Sequence, residues 1–316
     1  ALGSIAGSSC LGMLIPPSVL MIVWGILTEQ SIGALFLAGV LPGLMLATMF
    51  LIYIVGMAIL RPDIVGEEAP RHKASSLSAA SPEPDSEALI PTTERELSRS
   101  AFITSVFGMG AIIASVLGGI WFGIFTPTEG AGAGAALALM FAYMKGMDRA
   151  AFFQAVFAVG KTAAPILILL FAAALYSRTL AMTGVTTAIR EYFVQSGLDP
   201  WMVLTIIVLL WFVLGMLIDS ISIMLLTVPI VEPIAVAFGF DQLAFAIIGI
   251  LAIEAGLLTP PFGLLVYTVK AAIQDPEVGV QRIFWSSVPY WGIMLIAVLL
   301  IVTFPEIANY LPSVLM

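Results

Sequence analysis

Long uninterrupted apolar runs constrain this sequence more than any other feature. The stretch 32–60 contains no charged residue, and about 20 such residues are enough for a helix to cross the ~30 Å hydrocarbon core of a bilayer. Hydrophobic residues occupy 60% of the 316 positions and charged residues only 10%, whereas a soluble domain carries about 25% charged residues. The sequence therefore predicts an all-α polytopic membrane protein.

Short polar segments between the apolar runs divide the chain into six predicted parts. They are a first broken helix with the following span at 1–60, a polar cytoplasmic loop at 61–100, three membrane spans at 101–182, an interfacial amphipathic helix at 183–199, a re-entrant hairpin at 200–240, and a second broken helix with a last span at 241–316. The sequence begins without an initiator Met and in mid-pattern, which indicates an internal fragment.

The basic residues predict the orientation of these segments, because cytoplasmic loops are enriched in Lys and Arg. We place 61–99 on the cytoplasmic side and let each predicted span change the side, in both directions along the chain. Most of the 12 basic residues then lie on the cytoplasmic side: Arg61, Arg71, Lys73, Arg95, Arg99, Lys145, Arg149, Lys161, Lys270 and Arg282. Only Arg178 and Arg190 fall outside. The first broken helix then crosses from inside to outside, and the second crosses in the opposite direction.

The same proline motif interrupts both of these helices. "GMLIPP" at 12–17 and "GLLTPP" at 256–261 share the pattern Gly-x-Leu-x-Pro-Pro. Proline has no backbone N–H and costs about 3 kcal/mol or more inside a helix. Two interrupted helices of opposite polarity indicate an inverted-topology repeat, the arrangement in which secondary transporters build a site near the bilayer midplane.

The breaks offer oxygen ligands, because irregular backbone at membrane depth survives only within protein or beside a water-filled cavity. Carbonyl groups at the end of a half-helix suit a small hard cation such as sodium, and the N-terminus of the next half-helix favours an anion. Nearby hydroxyl groups add to a neutral oxygen cage: Ser4, Ser8, Ser9, Ser18 and Thr259. The alternative is that each Pro-Pro pair only kinks a helix for packing.

Asp219 lies within the long apolar stretch 200–238, far from either polar boundary. A carboxylate at membrane depth costs at least about 2.5–3.5 kcal/mol on insertion scales, which makes it a functional candidate. A hairpin tip that dips to the midplane would bring Asp219, Ser220 and Ser222 to the place where the broken helices meet. The alternative is a short loop between two spans, with Asp219 as an ordinary helix N-cap.

Other features carry less functional information. Glu254 precedes the second break and either pairs with a helix terminus or faces a polar vestibule. Nothing resembles a nucleotide-binding loop, a Cys/His metal cluster or a Ser/His/Asp set, so an enzyme has no positive support. Eight of the 20 acidic residues lie in the 61–99 loop, which argues against nucleic acid as a partner.

Four blocks of the sequence resemble one transporter family. They are "GMLIPPSVLMIVWGILTEQSIGALFLAGVLPGL" at 12–44, "GIWFGIFTPTEGAGAGA" at 119–135, "LGMLIDSISIMLLTVPIVEPI" at 214–234 and "GLLTPPFGLLVY" at 256–267. They are similar, in the same order, to the large membrane subunit (DctM type) of tripartite ATP-independent periplasmic (TRAP) transporters.

The resemblance implies an elevator-type fold of the ion-transporter superfamily, with inverted repeats, broken helices and re-entrant hairpins. It implies sodium-driven import of an organic acid, such as a C4-dicarboxylate or sialic acid, in the bacterial inner membrane. The implied partners are a small four-helix membrane subunit and a periplasmic substrate-binding protein, and sodium is the coupling ion, with no other cofactor.

The resemblance and the residue chemistry together give a set of candidate ligands. The sodium candidates are Gly7, Ser8, Gly12, Pro16, Asp219, Ser220, Gly256, Thr259 and Pro260; the substrate candidates are Ser9, Ser18 and Ser222. The family's N-terminal spans and first hairpin do not precede the first broken helix here, so the chain is expected to be N-terminally truncated. Two alternatives remain: a stand-alone sodium/anion symporter of the same superfamily, and a non-transporting membrane scaffold.

Overall fold

The structure, a computed structural model, describes residues 2–61, 99–273 and 278–316, with side chains from residue 105 onward in the second range. The predicted loop at 61–100 lies almost entirely outside the described residues. Within the described ranges the chain folds into helices: α1 (Leu2–Ser9), α2 (Leu11–Leu14), α3 (Val19–Thr28), α4 (Ile32–Leu60), α5 (Arg99–Trp121), α6 (Pro127–Met144), α7 (Arg149–Thr183), α8 (Val185–Gln195), α9 (Pro200–Gly215), α10 (Ser220–Ala237), α11 (Gln242–Gly256), α12 (Leu264–Ala272), α13 (Val280–Thr303) and α14 (Glu306–Leu315).

The first Pro-Pro pair separates α2 from α3. The segment Leu2–Leu14 is bent by 41° from Val19–Thr28. Ser18 follows the prolines and caps α3, since its hydroxyl accepts a hydrogen bond from the Met21 N–H at 3.4 Å. A serine N-cap satisfies one of the N–H groups left unpaired at a helix start. The chain is therefore restarted as a helix directly after the break.

The second Pro-Pro pair separates α11 from α12. Thr259, Pro260 and Pro261 fall between the two helices, and α12 begins after Gly263, whose φ is 49°. A residue with a Cβ is disfavoured in this left-handed region, so glycine suits this restart. Both Pro-Pro peptide bonds are cis.

Helix α11 forms the centre of the core. Every residue from Ala244 to Gly256 is buried, and α4, α9, α10, α13 and α14 pack around the helix. Trp24 on α3 packs edge-on against Trp211 on α9 and Phe245 on α11, with ring centroids 5.7 and 6.0 Å apart. Such aromatic pairs add about 0.5–1.5 kcal/mol to the burial of their area, so they stabilise α3 against the centre.

The two broken helices lie side by side and run in opposite directions. Cys10, at the α1–α2 junction, lies against Glu254 near the end of α11. Further along the first broken helix, Trp24 contacts Gly249 and Phe245, which come earlier in α11. Later residues of the first broken helix therefore lie beside earlier residues of α11, so the two helices are antiparallel. This is the relative direction that the count of basic residues predicts.

The segment 200–240 forms two helices joined by a short turn. α9 and α10 contact each other, and the turn between them spans Met216–Asp219. α10 also packs against α3, α8 and α11. The geometry fits the predicted hairpin, although its depth in the bilayer stays a prediction.

Within the described ranges, four helices are long and apolar enough to cross a membrane, namely α4, α7, α10 and α13. The bent pair of α1–α2 with α3 makes five if it is one span. α9 and α11 are apolar but shorter. α5, α6 and α7 lie in the segment predicted to hold three spans, and α8, which is largely exposed, lies in the predicted interfacial segment. The assignment of these segments to the bilayer and its surface stays a prediction.

Candidate ion site at the helix breaks

Three separate segments meet at one buried junction. Met216 in the α9–α10 turn accepts a backbone hydrogen bond from the Phe262 N–H at 3.2 Å, which ties this turn to the second break. Ser220, at the start of α10, donates its hydroxyl hydrogen bond to Oε1 of Glu254 at 2.5 Å. The Cys10 thiol donates to the Glu254 carbonyl at a sulfur–oxygen distance of 3.9 Å. The hairpin turn, the second break and the α1–α2 turn of the first broken helix therefore share this junction.

Several carbonyl groups released by the prolines already have partners in the protein. The Ser18 hydroxyl donates to the Met13 carbonyl, the oxygen that would have accepted from residue 17 in a continuous helix. In the second break, Gly256 accepts from the Thr259 N–H at 2.9 Å, and Leu257 accepts from the Leu265 N–H at 3.3 Å. Each carbonyl oxygen has two lone pairs, so one lone pair remains on each for a cation.

Hydroxyl groups near the breaks donate back to their own helices. Ser8 donates to Ile5 at 3.2 Å, Ser9 to Ala6 at 2.6 Å, and Thr259 to Ala255 at 2.9 Å. In each case the hydrogen is committed, whereas the hydroxyl oxygen keeps lone pairs that can coordinate a cation. Ser8 and Ser9 are exposed and Thr259 is buried.

The corresponding glycines of the two motifs have different surroundings. A Cβ on Gly12 would meet nothing within 4 Å, whereas a Cβ on Gly256 would lie 2.3 Å from the Phe212 carbonyl oxygen and 2.7 Å from the Cα of Gly215. Gly256 and Gly215 thus allow the backbones of α9 and α11 to approach closely. The predicted ligand Gly256 has a packing role that the motif alone does not reveal.

Two further predicted ligands border the first break. A Cβ on Gly7 would lie 2.4 Å from the Tyr290 ring, so Gly7 permits the close contact between α1 and α13. Pro16 is buried in the link between α2 and α3, whereas Pro260 is exposed in the corresponding link of the second break.

Asp219 is the N-cap of α10. Its carboxylate accepts hydrogen bonds from the Ser222 N–H at 3.0 Å and from the Ser222 hydroxyl at 2.6 Å. The side chain is exposed, beside the buried Ser220. The capping role that was one alternative for Asp219 is present, and it occurs within a helical hairpin, so the two interpretations of this stretch do not exclude each other.

The three predicted substrate ligands lie in different environments. Ser222 lines a cavity of about 320 Å³ between α7 and α10, together with mainly apolar side chains: Leu169, Ala172, Ala173, Tyr176, Leu225 and Leu226. Ser9 is exposed on α1, and Ser18 is buried with its hydroxyl engaged by Met13 and Met21. Neither Ser9 nor Ser18 lines this cavity.

The candidate ligands predicted from the sequence do not include two residues of the junction, Glu254 and Cys10. Glu254 is only 2% exposed, and its Oε2 atom has no hydrogen-bond partner. A signal for Glu254 existed, because it is an acid within an otherwise apolar helix. No comparable signal exists for Cys10, whose position depends on how the broken helices cross.

The chemistry of the breaks fits a monovalent cation held by neutral oxygens. Within the described ranges, no group of three His, Cys, Asp or Glu residues could hold a metal ion. Carbonyl and hydroxyl oxygens occur at both breaks, and the Asp219 carboxylate at the hairpin turn could balance one positive charge.

Comparison with known proteins extends this description. The family model described as "Tripartite ATP-independent periplasmic transporter, DctM component" matches residues 1–307. The C4-dicarboxylate TRAP transporter large permease protein of Pseudomonas aeruginosa is 29% identical over 98% of this chain and 67% of its own length. The ectoine TRAP transporter large permease protein of Halomonas elongata is 31% identical with the same coverage, and the sialic acid TRAP transporter large permease protein of Vibrio cholerae is 28% identical over 98% of this chain and 67% of its own length.

The fold and the paired breaks define an all-α polytopic membrane protein, as the composition predicts. The match along almost the whole chain makes the assignment specific: this chain belongs to the DctM family of TRAP transporter membrane subunits. The predictions of the family, of inner-membrane localisation and of a transporter subunit in place of an enzyme are confirmed by these relatives. The chain spans about two thirds of the length of the relatives it matches.

Proposed function

We propose that this chain is the membrane subunit of a sodium-coupled importer of organic acids, acting by an elevator mechanism. A periplasmic binding protein delivers the substrate, and a small four-helix membrane subunit completes the membrane complex. Sodium ions bind at the two helix breaks and at the hairpin turn. The names of relatives include C4-dicarboxylate and sialic acid, which supports an organic acid as the substrate class.

The observation that carries the proposal is the antiparallel contact between the two broken helices, with the hairpin turn packed on the second break. Interrupted helices of opposite direction are the arrangement in which secondary transporters hold their coupling ions and substrate. Unwound backbone of this kind is tolerated in a membrane only where it is buried in protein or faces water. Two matched breaks beside a hairpin therefore support transport over a purely structural kink.

The distribution of partners around the breaks supports assigning the ion to main-chain and hydroxyl oxygens. Thr259 and the carbonyls of Met13 and Gly256 use one hydrogen-bonding position each within the protein. A cation that binds to the remaining lone pairs displaces no existing bond. Asp219 supplies the negative charge at the turn.

Uptake by proteoliposomes tests the proposal. The chain is expressed in the context of its complete natural gene and reconstituted with the small membrane subunit, and a radiolabelled organic acid is added with the cognate binding protein. We expect uptake with an inward sodium gradient and none with an equal potassium gradient. Uptake that proceeds without the binding protein would favour the stand-alone symporter, and uptake independent of sodium would contradict the proposed coupling.

A further inference from the structure

An apolar groove lies between α9 and α13, away from the helix breaks. Both helices pack against α11, which forms the floor of the groove with Ala244, Phe245 and Ile248. The walls are two helical faces whose residues recur every three or four positions: Trp201, Leu204, Thr205 and Val208 on α9, and Leu295, Val298, Leu299 and Val302 on α13. We call the space between these residues the α9–α13 groove. It consists of two adjoining cavities of about 250 and 210 Å³.

The groove is closed at one end and open at the other. Beyond the closed end, Phe212 on α9 contacts Trp291 on α13, with ring centroids 5.8 Å apart. The open end is lined by residues that link the helices: Gly239, Phe240, Asp241 and Pro305. From Trp201 to Val208 the α9 wall extends about 10 Å at 1.5 Å per residue. The groove is therefore an elongated apolar slot with a polar rim.

The shape and the apolar walls fit a hydrocarbon chain. Leu299 is 63% exposed and Trp201 is 56% exposed, so the groove is open to its surroundings. Both walls belong to segments predicted to lie in the bilayer, where the surrounding molecules are lipids. An apolar space of this kind is not hydrated, and an empty one loses the dispersion contacts of its lining. A lipid acyl chain restores these contacts.

The charge at the rim selects among lipid head groups. Asp241 lines the open end and is exposed, and its Oδ1 accepts the cap hydrogen bond from the Ala244 N–H at 2.9 Å. Asp199 and Glu306 lie within two residues of groove residues and are exposed as well. The segments that carry these acids contain no Lys or Arg: 198–205, 238–248 and 298–309. A rim of this charge attracts an ammonium group and repels an anionic head group.

We propose that the α9–α13 groove binds one phospholipid whose head group carries a primary ammonium, as in phosphatidylethanolamine. One acyl chain lies along the groove, and the ammonium donates a hydrogen bond to the Asp241 carboxylate. Trp201 lies at the level between chain and head group, where tryptophan is enriched in membrane proteins. The bound lipid fills the space between the hairpin helix α9 and the last span α13. The site is separate from the proposed sodium and substrate ligands.

Native mass spectrometry tests the head group. The full-length protein, expressed from its complete natural gene, is delipidated in detergent and titrated with phosphatidylethanolamine or phosphatidylglycerol of identical acyl chains. We expect one phosphatidylethanolamine to bind several-fold more tightly than phosphatidylglycerol. Asp241→Asn should remove this preference, because asparagine retains the helix cap but not the charge. Asp148→Asn, at the exposed N-cap of α7, is the matched control and should retain it. Equal affinities in the unsubstituted protein, or a preference that survives Asp241→Asn, would overturn the proposal.

A larger side chain on the wall tests the groove itself. Thr205 is exposed on α9, so Thr205→Trp can fill the slot without disturbing its floor, and binding of phosphatidylethanolamine should fall several-fold. Leu210→Trp is the control, because Leu210 is exposed and lies about 140° around the same helix from Thr205. If Thr205→Trp does not fold, Leu299→Trp on the opposite wall provides the same test. Binding that survives a filled groove would contradict the proposal.

Photolabelling locates the bound lipid in a membrane. The full-length protein is placed in phosphatidylglycerol nanodiscs that contain a small fraction of phosphatidylethanolamine with a diazirine on one acyl chain. We expect the labelled peptides to come from α9 and α13. Equal labelling of the exposed helix α7 would contradict a specific site. Unlabelled α9 and α13 would show that protein, either another part of the chain or the small subunit, fills the groove, and would overturn the proposal. Since no transport is measured, neither result bears on sodium-coupled uptake.

Discussion

At the scale of single residues, two aspartate carboxylates cap helices in the same way but have different neighbours. Asp199 and Asp219 are both N-caps of apolar helices, and each accepts a backbone N–H hydrogen bond, at 2.9 and 3.0 Å. Only Asp219 lies beside the buried junction, next to Ser220. A comparison of these two acids therefore separates capping from ion binding.

We predict that Asp219→Asn abolishes the sodium dependence of uptake, whereas Asp199→Asn leaves it intact. Asparagine caps a helix about as well as aspartate, so both variants should retain their thermal stability, and only the negative charge is lost. Sodium titrations of uptake in proteoliposomes measure the effect. Unchanged sodium dependence in Asp219→Asn would remove this residue from the ion site.

At the scale of helices, two glycines of identical motif position are expected to differ in their tolerance of a methyl group. Gly256→Ala places a Cβ against the Phe212 carbonyl, and overpacking of this kind costs about 1–3 kcal/mol. Gly12→Ala meets open space, and alanine is the better helix former by roughly 1 kcal/mol. Thermal unfolding of the two purified variants should show a lower midpoint for Gly256→Ala and no loss for Gly12→Ala. Similar midpoints would contradict the close crossing of α9 and α11.

The second break depends on the missing N–H groups of its prolines. Replacing Pro260 and Pro261 by alanine restores two donors, so α11 can extend and close its helical hydrogen bonds. We predict weaker sodium binding, measured by sodium-dependent thermal stabilisation of the purified protein. Pro289→Ala, within the continuous helix α13, is the matched control and should bind sodium normally. Normal sodium affinity in the double variant would favour a packing role for the break.

The helical elements were more predictable from the sequence than the contacts of the junction. The proline pairs and the cap residues Ser18 and Asp219 act through local backbone geometry, so their positions follow from neighbouring residues. The bond between Ser220 and Glu254 joins residues 34 positions apart, and it depends on how closely α10 approaches α11. No local pattern specifies that distance. The packing role of Gly256 was hidden for the same reason, since it is defined by Gly215 on another helix.

At the scale of the whole molecule, the orientation of the chain remains a prediction from its basic residues. Lys145 in the α6–α7 turn is predicted inside and Glu191 on α8 outside, and both are exposed. Single cysteines at these positions, in a Cys10→Ala background, should react with a membrane-impermeant maleimide from opposite faces of the membrane. In intact spheroplasts only Glu191→Cys should be labelled. Labelling of Lys145→Cys alone would invert the topology.

The central position of α11 has a consequence for how the protein is made. Its 15 residues extend about 22 Å at 1.5 Å per residue, less than the ~30 Å hydrocarbon thickness. The residues of this short helix from Ala244 to Gly256 are all buried in the folded protein, so it presents little side chain to lipid. We therefore expect its insertion to be completed only when α4, α9 and α13 pack around it, which would make the innermost helix of the subunit a late one to assemble.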